Sequence, residues 1–226
     1  MREAIAAGPV RIACLGDSIT EGAQVDARLE SYPARLQEML GDKFLVRNFG
    51  AGGATLWHGG KPNAFQQLPA ARTFAPHIAV LAFGNNDTRN RDVDYWDHFP
   101  EFPADAAKRL TEILAMPGSP GILLCLAIAN FADLPGMPAE RRENVAERLP
   151  RLVEVRQQLR KTAAEFESRG VTLCDLHAVT EHRPDVFAVD GVHLKADGYL
   201  LLAETIRKRI PRALRKFSTA VRGNEY

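Results

Sequence analysis

The stretch VRIACLGDSITEGA, residues 10–23, decides how the rest of the chain is read. Residues 10–15 are apolar or β-branched, with Arg11 the one interruption. Near-continuous apolar character over so short a run suits a strand covered on both faces. The run stops at Gly16, Asp17 and Ser18, which favour a turn followed by a helix start. Ser18 therefore sits where a strand hands over to a helix. Serine in that place is a helix cap or a nucleophile, and this stretch alone does not separate the two.

The same handover recurs along the chain. Strand-like runs are expected at 10–15, 44–48, 78–83, 122–127 and 171–175. Between them, spacing compatible with amphipathic helices predicts helices over 32–40, 64–74, 104–114 and 147–168, with a last one from 195 to about 208. Gly41, Gly121 and Gly170 punctuate helix ends and strand starts. Strand–helix alternation of this kind predicts an α/β fold, a parallel sheet with helices on both faces. A length of 226 residues suits one domain, here 1–226 with its core at about 9–213. The longest loop is expected at 130–138, and the polar, basic tail 214–226 is expected to fray.

Composition narrows the function classes. Lys and Arg exceed Asp and Glu by a formal charge of only +1, which supplies no strong field for nucleic acid or an anionic membrane. Apolar runs such as 122–129 are far too short to cross a bilayer. The first ten residues lack the apolar core of a signal peptide. The expected location is cytoplasmic, with a secreted or periplasmic one requiring a removed leader. Three cysteines, Cys14, Cys125 and Cys174, lie in or beside apolar runs with no CxxC spacing. They read as buried, reduced hydrophobes rather than a disulfide framework or a zinc site. Oligomeric state is not encoded legibly.

In an open parallel sheet, ligands bind beyond the carboxyl ends of the strands. Reactive residues should therefore follow the strand runs. The first is followed by Gly16–Asp17–Ser18, the second by 48–55, and the third by Gly84, Asn85, Asn86 and Asp87. Phosphate-cradling readings of these turns fail. After Gly16 the next glycine, Gly22, is one position late for a P-loop and no lysine follows it. GAGGAT places Thr55 where a dinucleotide fingerprint needs its last glycine. A GxSxG nucleophile elbow fails because Thr20 takes the second glycine position. No cofactor and no metal are expected.

A serine hydroxyl needs a general base within hydrogen-bond reach to act as a nucleophile. Of the six histidines, His77 opens the third strand at the wrong sheet edge, and His98 and His182 lie in polar segments. His177 follows the fifth strand and is a weaker candidate. His193 has Asp190 three residues before it, a spacing that brings both side chains to one side of a turn or first helical turn. Asp190 could fix one imidazole nitrogen and leave the other for Ser18. An acyl-transfer site also needs fixed N–H donors for an oxyanion. Gly53, the Asn86 amide and the Ser18 backbone N–H are the candidates. Each, taken alone, is equally explained by a cap or a tight turn. Asp17 and Asp87 read as turn-holding residues. Trp57, His58 and Trp96 either line the mouth of the site or pack at the surface.

Four blocks in order, GDSITEG, NFGAGGAT, GNND and DGVHL, resemble those of the SGNH hydrolases, a branch of the GDSL-type esterases and lipases. They span Gly16 to Leu194, most of the chain. The resemblance implies a flavodoxin-like three-layer α/β/α sandwich with five parallel strands. It marks Ser18 as nucleophile, Gly53 and Asn86 as oxyanion donors, and Asp190 and His193 as the rest of a triad. Register from asparagine to threonine in the second block selects Gly53 over Gly50 and Gly52. Asn85 stands where threonine or glycine is common in the family.

Finer segments such as VRNFGAGGATLWHGGKP and VDGVHLKADGYLLLAETI are similar to bacterial sialate O-acetylesterase-like carbohydrate acetylesterases. The implied activity is hydrolysis of short acyl esters, acetyl on carbohydrate above all, without metal or cofactor. The implied partner is a small ester, an acetylated sugar, with no nucleic acid and no membrane. The rivals are a lysophospholipase, thioesterase or general short-chain esterase on the same fold, and a non-catalytic ligand-binding scaffold.

Overall fold

The computed structural model describes residues 8–90 and 94–223, with side chains to residue 215. Five parallel strands form one sheet: β1 (Val10–Gly16), β2 (Phe44–Asn48), β3 (Ile78–Ala82), β4 (Gly121–Cys125) and β5 (Val171–Cys174). Their spatial order is β2-β1-β3-β4-β5. The register pairs Cys14 with Asn48 on one side and with Val80 on the other, so β1 is central. The expected α/β class and five-stranded parallel sheet are thus observed. The strand order reverses beside β1, which makes its carboxyl end the switch point where such sheets bind ligands.

The period-two alternation of the strands builds two apolar layers. Ile12, Cys14, Val80, Leu123 and Cys174 face one side, under α2 (Tyr32–Leu40) and α6 (Ala196–Gly223). Ala13, Leu15, Leu81 and Leu124 face the other, under α3 (Leu68–Phe74), α4 (Phe102–Leu114) and α5 (Ala139–Glu165). A short α1 (Ser18–Glu21) follows β1. All three cysteines are buried and unpaired. Burial pushes the Cys14 thiol up to about 12, so it offers no thiolate. No helix among the described residues is long and apolar enough to cross a membrane.

Four boundaries differ from the sequence expectation. β2 is the sheet edge, so Leu45 and Arg47 are exposed rather than covered on both faces. The helix expected over 64–74 is a 3₁₀ turn, Ala64–Gln66, followed by α3 with Pro69 in its first turn. α5 begins at Ala139 and runs through Pro150, where the sequence suggested a start near 147. Buried Val145, Leu152, Val155 and Leu159 carry one apolar stripe through the proline, and that packing outweighs its missing N–H. α6 continues beyond 208 to Gly223, because Ile210 and Ala213 extend its buried stripe of Leu202, Ala203 and Ile206. Of the tail expected to fray, 224–226 lie outside the described residues.

Candidate active site

The carboxyl end of β1 delivers Asp17 and Ser18 to the switch point. Asp17 caps α1: its Oδ1 accepts from the Ile19 N–H at 2.9 Å. This buried carboxyl is pushed up to about 7, by burial first, with the Ile19 hydrogen bond and the His193 and Arg148 charges opposing. Capping by Asp17 leaves the Ser18 hydroxyl free to point elsewhere. Ser18 Oγ lies 2.9 Å from His193 Nε2, across 175 residues of sequence.

His193 is held from its other side. Its Nδ1 lies 2.5 Å from Asp190 Oδ2, and Asp190 Oδ1 accepts from the Val192 and His193 backbone N–H groups at 3.0 and 2.9 Å. Burial alone would raise the Asp190 carboxyl, but the bonds from the His193 side chain and these two amides outweigh it and hold the group well below the usual carboxylate range. An ionised carboxylate only accepts, so the imidazole proton sits on Nδ1. Nε2 then presents its lone pair to the Ser18 hydroxyl. The three-residue spacing works here through a loop rather than a helical turn. Phe187 bridges Leu194, the Ala188 N–H donates to the His193 carbonyl, and α6 starts only at Ala196. Gly191 makes the turn possible. Its φ is +70°, and a Cβ there would meet the Phe131 carbonyl oxygen at 1.9 Å. The Phe131 N–H donates to the Gly191 carbonyl, so the 130–138 loop braces this one.

The second and third blocks close the cleft. Gly53 has φ +78°, a left-handed conformation that favours glycine, and it lines the cleft with Ser18. Gly50 does different work: a Cβ there would lie 2.2 Å from the Glu21 backbone nitrogen, so it lets the loop press against α1. Asn86 opens a 3₁₀ turn after β3, and its Nδ2 donates to the Ala54 carbonyl at 3.1 Å. An amide nitrogen carries two hydrogens, which leaves one for a ligand. Buried Asp87 ties the two blocks together by accepting from the Leu56 and Trp57 N–H groups at 2.9–3.1 Å. Burial pushes its carboxyl up to about 6, against those hydrogen bonds.

The cleft of about 350 Å³ thus gathers Ser18, Gly53, Asn86 and His193, with Asp190 behind the histidine. Among the described residues, its apolar walls are Ile19, Ala23 and Val192. Trp57, His58 and Trp96 are not on its walls. Trp57 is buried, stacks on His98 at 4.0 Å, and donates Nε1 to Glu101 Oε2 at 2.8 Å. Trp96 stacks on Phe99 at 4.1 Å. His58 Nδ1 lies 2.9 Å from Asp105 Oδ2, beside a separate hollow. The ring hydrogen bonds of Trp57 and His58 go to Glu101 and Asp105, on the turn before α4 and on α4 itself, which draws both rings away from Ser18.

Among the described residues, one set of side chains could hold a cation. The ligand atoms of His58, Glu101 and Asp105 lie within 4.8 Å of one another, and all three already have hydrogen-bond partners.

Sequence reasoning missed the cationic residues of the cleft: Arg89, Arg141 and Arg148. Arg148 is buried, donating Nε to Thr88 Oγ1 at 3.0 Å and Nη2 to the Asn85 carbonyl at 2.5 Å, which pins the turn that carries Asn86. Its signal was available, since it falls in phase with the apolar stripe of α5. Arg141 donates Nε to the Asp190 carbonyl at 3.0 Å. The early start of α5 brings Arg141 to the cleft, and the sequence reading placed that residue in no helix.

Comparison with known proteins gives the chain a family and its fold close relatives. The model of the GDSL-like lipase/acylhydrolase family matches residues 14–201. An acetylxylan esterase of Xylanibacter ruminicola is 30% identical over 218 residues, covering 89% of this chain and 43% of that protein. The chain therefore spans less than half the length of that relative. Est24, a carbohydrate acetylesterase from Sinorhizobium meliloti, shares the fold with a TM-score of 0.72 at 18% identity, covering 89% of this chain and 98% of that one. An aryl esterase of M. smegmatis in its inhibitor-bound form does so with a TM-score of 0.72 at 19% identity, covering 90% and 99%. With the match running from the first strand into α6, the chain belongs to the GDSL-like lipase/acylhydrolase family.

Proposed function

We propose that this chain hydrolyses short acyl esters, acetyl above all, on carbohydrate through a Ser18–His193–Asp190 triad. The observation that carries the reading is the 2.9 Å approach of His193 Nε2 to Ser18 Oγ, with Asp190 holding the opposite nitrogen. In this mechanism His193 takes the Ser18 proton as Oγ attacks the ester carbonyl. The oxyanion forms among the Ser18 and Gly53 N–H groups and the Asn86 amide. His193 then protonates the departing alcohol, and water, activated by the same base, hydrolyses the acyl-enzyme.

The chemistry of the walls supports a sugar ester over a lipid ester. A long acyl chain needs a continuous apolar trough. Here Ile19, Ala23 and Val192 are the apolar lining, and amides and arginines make most of the rest. The acetylxylan esterase relative points the same way.

The test is a panel of p-nitrophenyl acetate, butyrate and octanoate with acetylated xylo-oligosaccharides, run on wild type and Ser18→Ala. Acetate is expected to lead the aryl series, the oligosaccharides to lose acetate, and Ser18→Ala to lose nearly all turnover while folded. Octanoate preference would give the site to a lipid or thioester substrate, and a folded Ser18→Ala protein with wild-type turnover would remove Ser18 as nucleophile.

A further inference from the structure

Three arginines, Arg89, Arg141 and Arg148, line the cleft. Two of them have structural work. Arg148 is spent on the Asn85 carbonyl and Thr88 hydroxyl, and Arg141 on the Asp190 carbonyl and, at 3.9 Å, on the Asp190 carboxylate. Arg89 differs. It follows directly on the 3₁₀ turn of Asn86–Thr88, and its guanidinium lies 5.4 Å from the centroid of the Tyr95 ring. Its Nη1 lies 3.6 Å from the point where a Cβ on Gly53 would stand. Among the described residues no carboxylate makes an ion pair with it and no acceptor takes its guanidinium hydrogens. Glu21 approaches the same loop at Gly52 but makes no ion pair with Arg89.

An arginine half sunk in a cleft wall, resting against an aromatic ring, keeps its planar fork of donors oriented at small entropic cost. That fork matches a carboxylate, which it binds through two parallel N–H···O bonds. Arg148, on the same wall, adds positive charge and discourages a cationic group, while the Arg141 charge is offset by Asp190. Because Gly53 is a proposed oxyanion donor, an acid group on Arg89 has to lie close to the reacting ester, on the same sugar ring or the adjoining one.

We propose that the cleft takes an acetylated sugar that also bears a carboxylate, and that Arg89 receives that acid group. This rests on the acetyl-sugar esterase reading and narrows it to sugar acids or oligosaccharides with an acidic residue next to the acetylated one. Arg89 is then a specificity-determining residue that selects the alcohol half of the ester.

The test compares mono-O-acetylated glucuronic acid with mono-O-acetylated glucose. The quantity read is the ratio of their kcat/KM values, in wild type, Arg89→Lys and Arg89→Gln. Wild type is expected to favour the acid by tenfold or more, with the preference shrinking as sodium chloride is added. Arg89→Lys should keep part of the ratio, and Arg89→Gln should bring it close to one. A wild-type ratio at or below one, or a ratio that Arg89→Gln leaves unchanged, overturns the proposal. A uniform loss on both sugars would do the same, by making Arg89 part of the general machinery.

Wild type alone supplies a second measurement that needs no variant to fold. Free glucuronate should inhibit p-nitrophenyl acetate hydrolysis at concentrations where glucose does not, and equal inhibition by the two sugars counts against the proposal. Failure of the underlying reading looks different: neither acetylated sugar is hydrolysed at all.

Discussion

Ser18 sits under two demands, at the first position of a helix and on the wall of a cleft, and Asp17 resolves them by taking the cap. The cost of that arrangement is a carboxyl buried within reach of the His193 charge. An acid whose folded value is raised above its unfolded one holds its proton more tightly when folded. Its contribution to stability is full below about pH 4 and is lost as pH rises through the folded value of about 7. Asp17→Asn keeps the oxygen that accepts from Ile19, so it should flatten the decline in stability between about pH 4 and 7. Urea midpoints measured across that range check this. Asp87, pushed up to about 6, has the same sign, so part of the slope should survive.

Asn86 presents the other residue-scale case. If its amide stabilises the oxyanion, Asn86→Ala should lower kcat by about 10²–10³ with KM little changed. A rise in KM alone would make it a substrate-binding group instead. At this scale the sequence was informative for Gly53, which takes a left-handed turn, and for Asp190, three residues before the His193 it holds, while Gly191, equally constrained, went unread. The sequence was uninformative for Trp57 and His58, whose side-chain hydrogen-bond partners Glu101 and Asp105 lie more than 40 residues away, and for Trp96, whose ring is taken up by the neighbouring Phe99.

Among the elements, the strands were the most legible. Burial on two faces demands unbroken apolar runs, and only the exposed edge strand β2 departs from that. α5 was the least legible, because Pro150 and a charged first turn mask an apolar stripe that begins at Val145. The miss reached the site, since Arg141 and Asn144 both ride on the unread part of that helix. The loop between Val186 and Ala196 shows how an element can control chemistry without regular structure. Its shape depends on Gly191 passing close to the Phe131 carbonyl. Gly191→Ala combines a positive φ with a backbone clash, so the loop must shift and carry Asp190 and His193 with it. A displacement of about 1 Å at a reacting group costs on the order of 10²-fold in rate. The expected result is a drop in kcat of that size with only a modest loss of melting temperature. A variant that melts many degrees lower but keeps its kcat when folded would show that the loop serves the core rather than the triad.

For the molecule as a whole, the sheet separates the proposed catalytic cleft from the far packing of α6 along its strand axis. The cleft occupies the carboxyl edge, while the opposite edge is closed by the far part of α6. At its near end, α6 places Tyr199, whose hydroxyl donates to the Ala23 carbonyl at 2.8 Å beside the cleft. At the far end, the Ala213 carbonyl lies 2.4 Å from where a Cβ on Gly121 would stand, at the first residue of β4. Ile210, one turn before Ala213, is 2% exposed in the layer that includes Leu123 and Cys174. Its truncation removes buried methylenes from a close-packed layer of side chains shared by the sheet and α6. Ile210→Ala should therefore cost about 2–5 kcal/mol of stability. Because every group of the proposed triad and oxyanion site lies at the other edge, kcat on p-nitrophenyl acetate at 25 °C should stay within twofold of wild type. Urea unfolding monitored by tryptophan fluorescence gives the first quantity and steady-state kinetics the second. A large fall in kcat in the folded variant would mean that α6 transmits strain from its far end to Tyr199 and the cleft, and that the two edges are mechanically one.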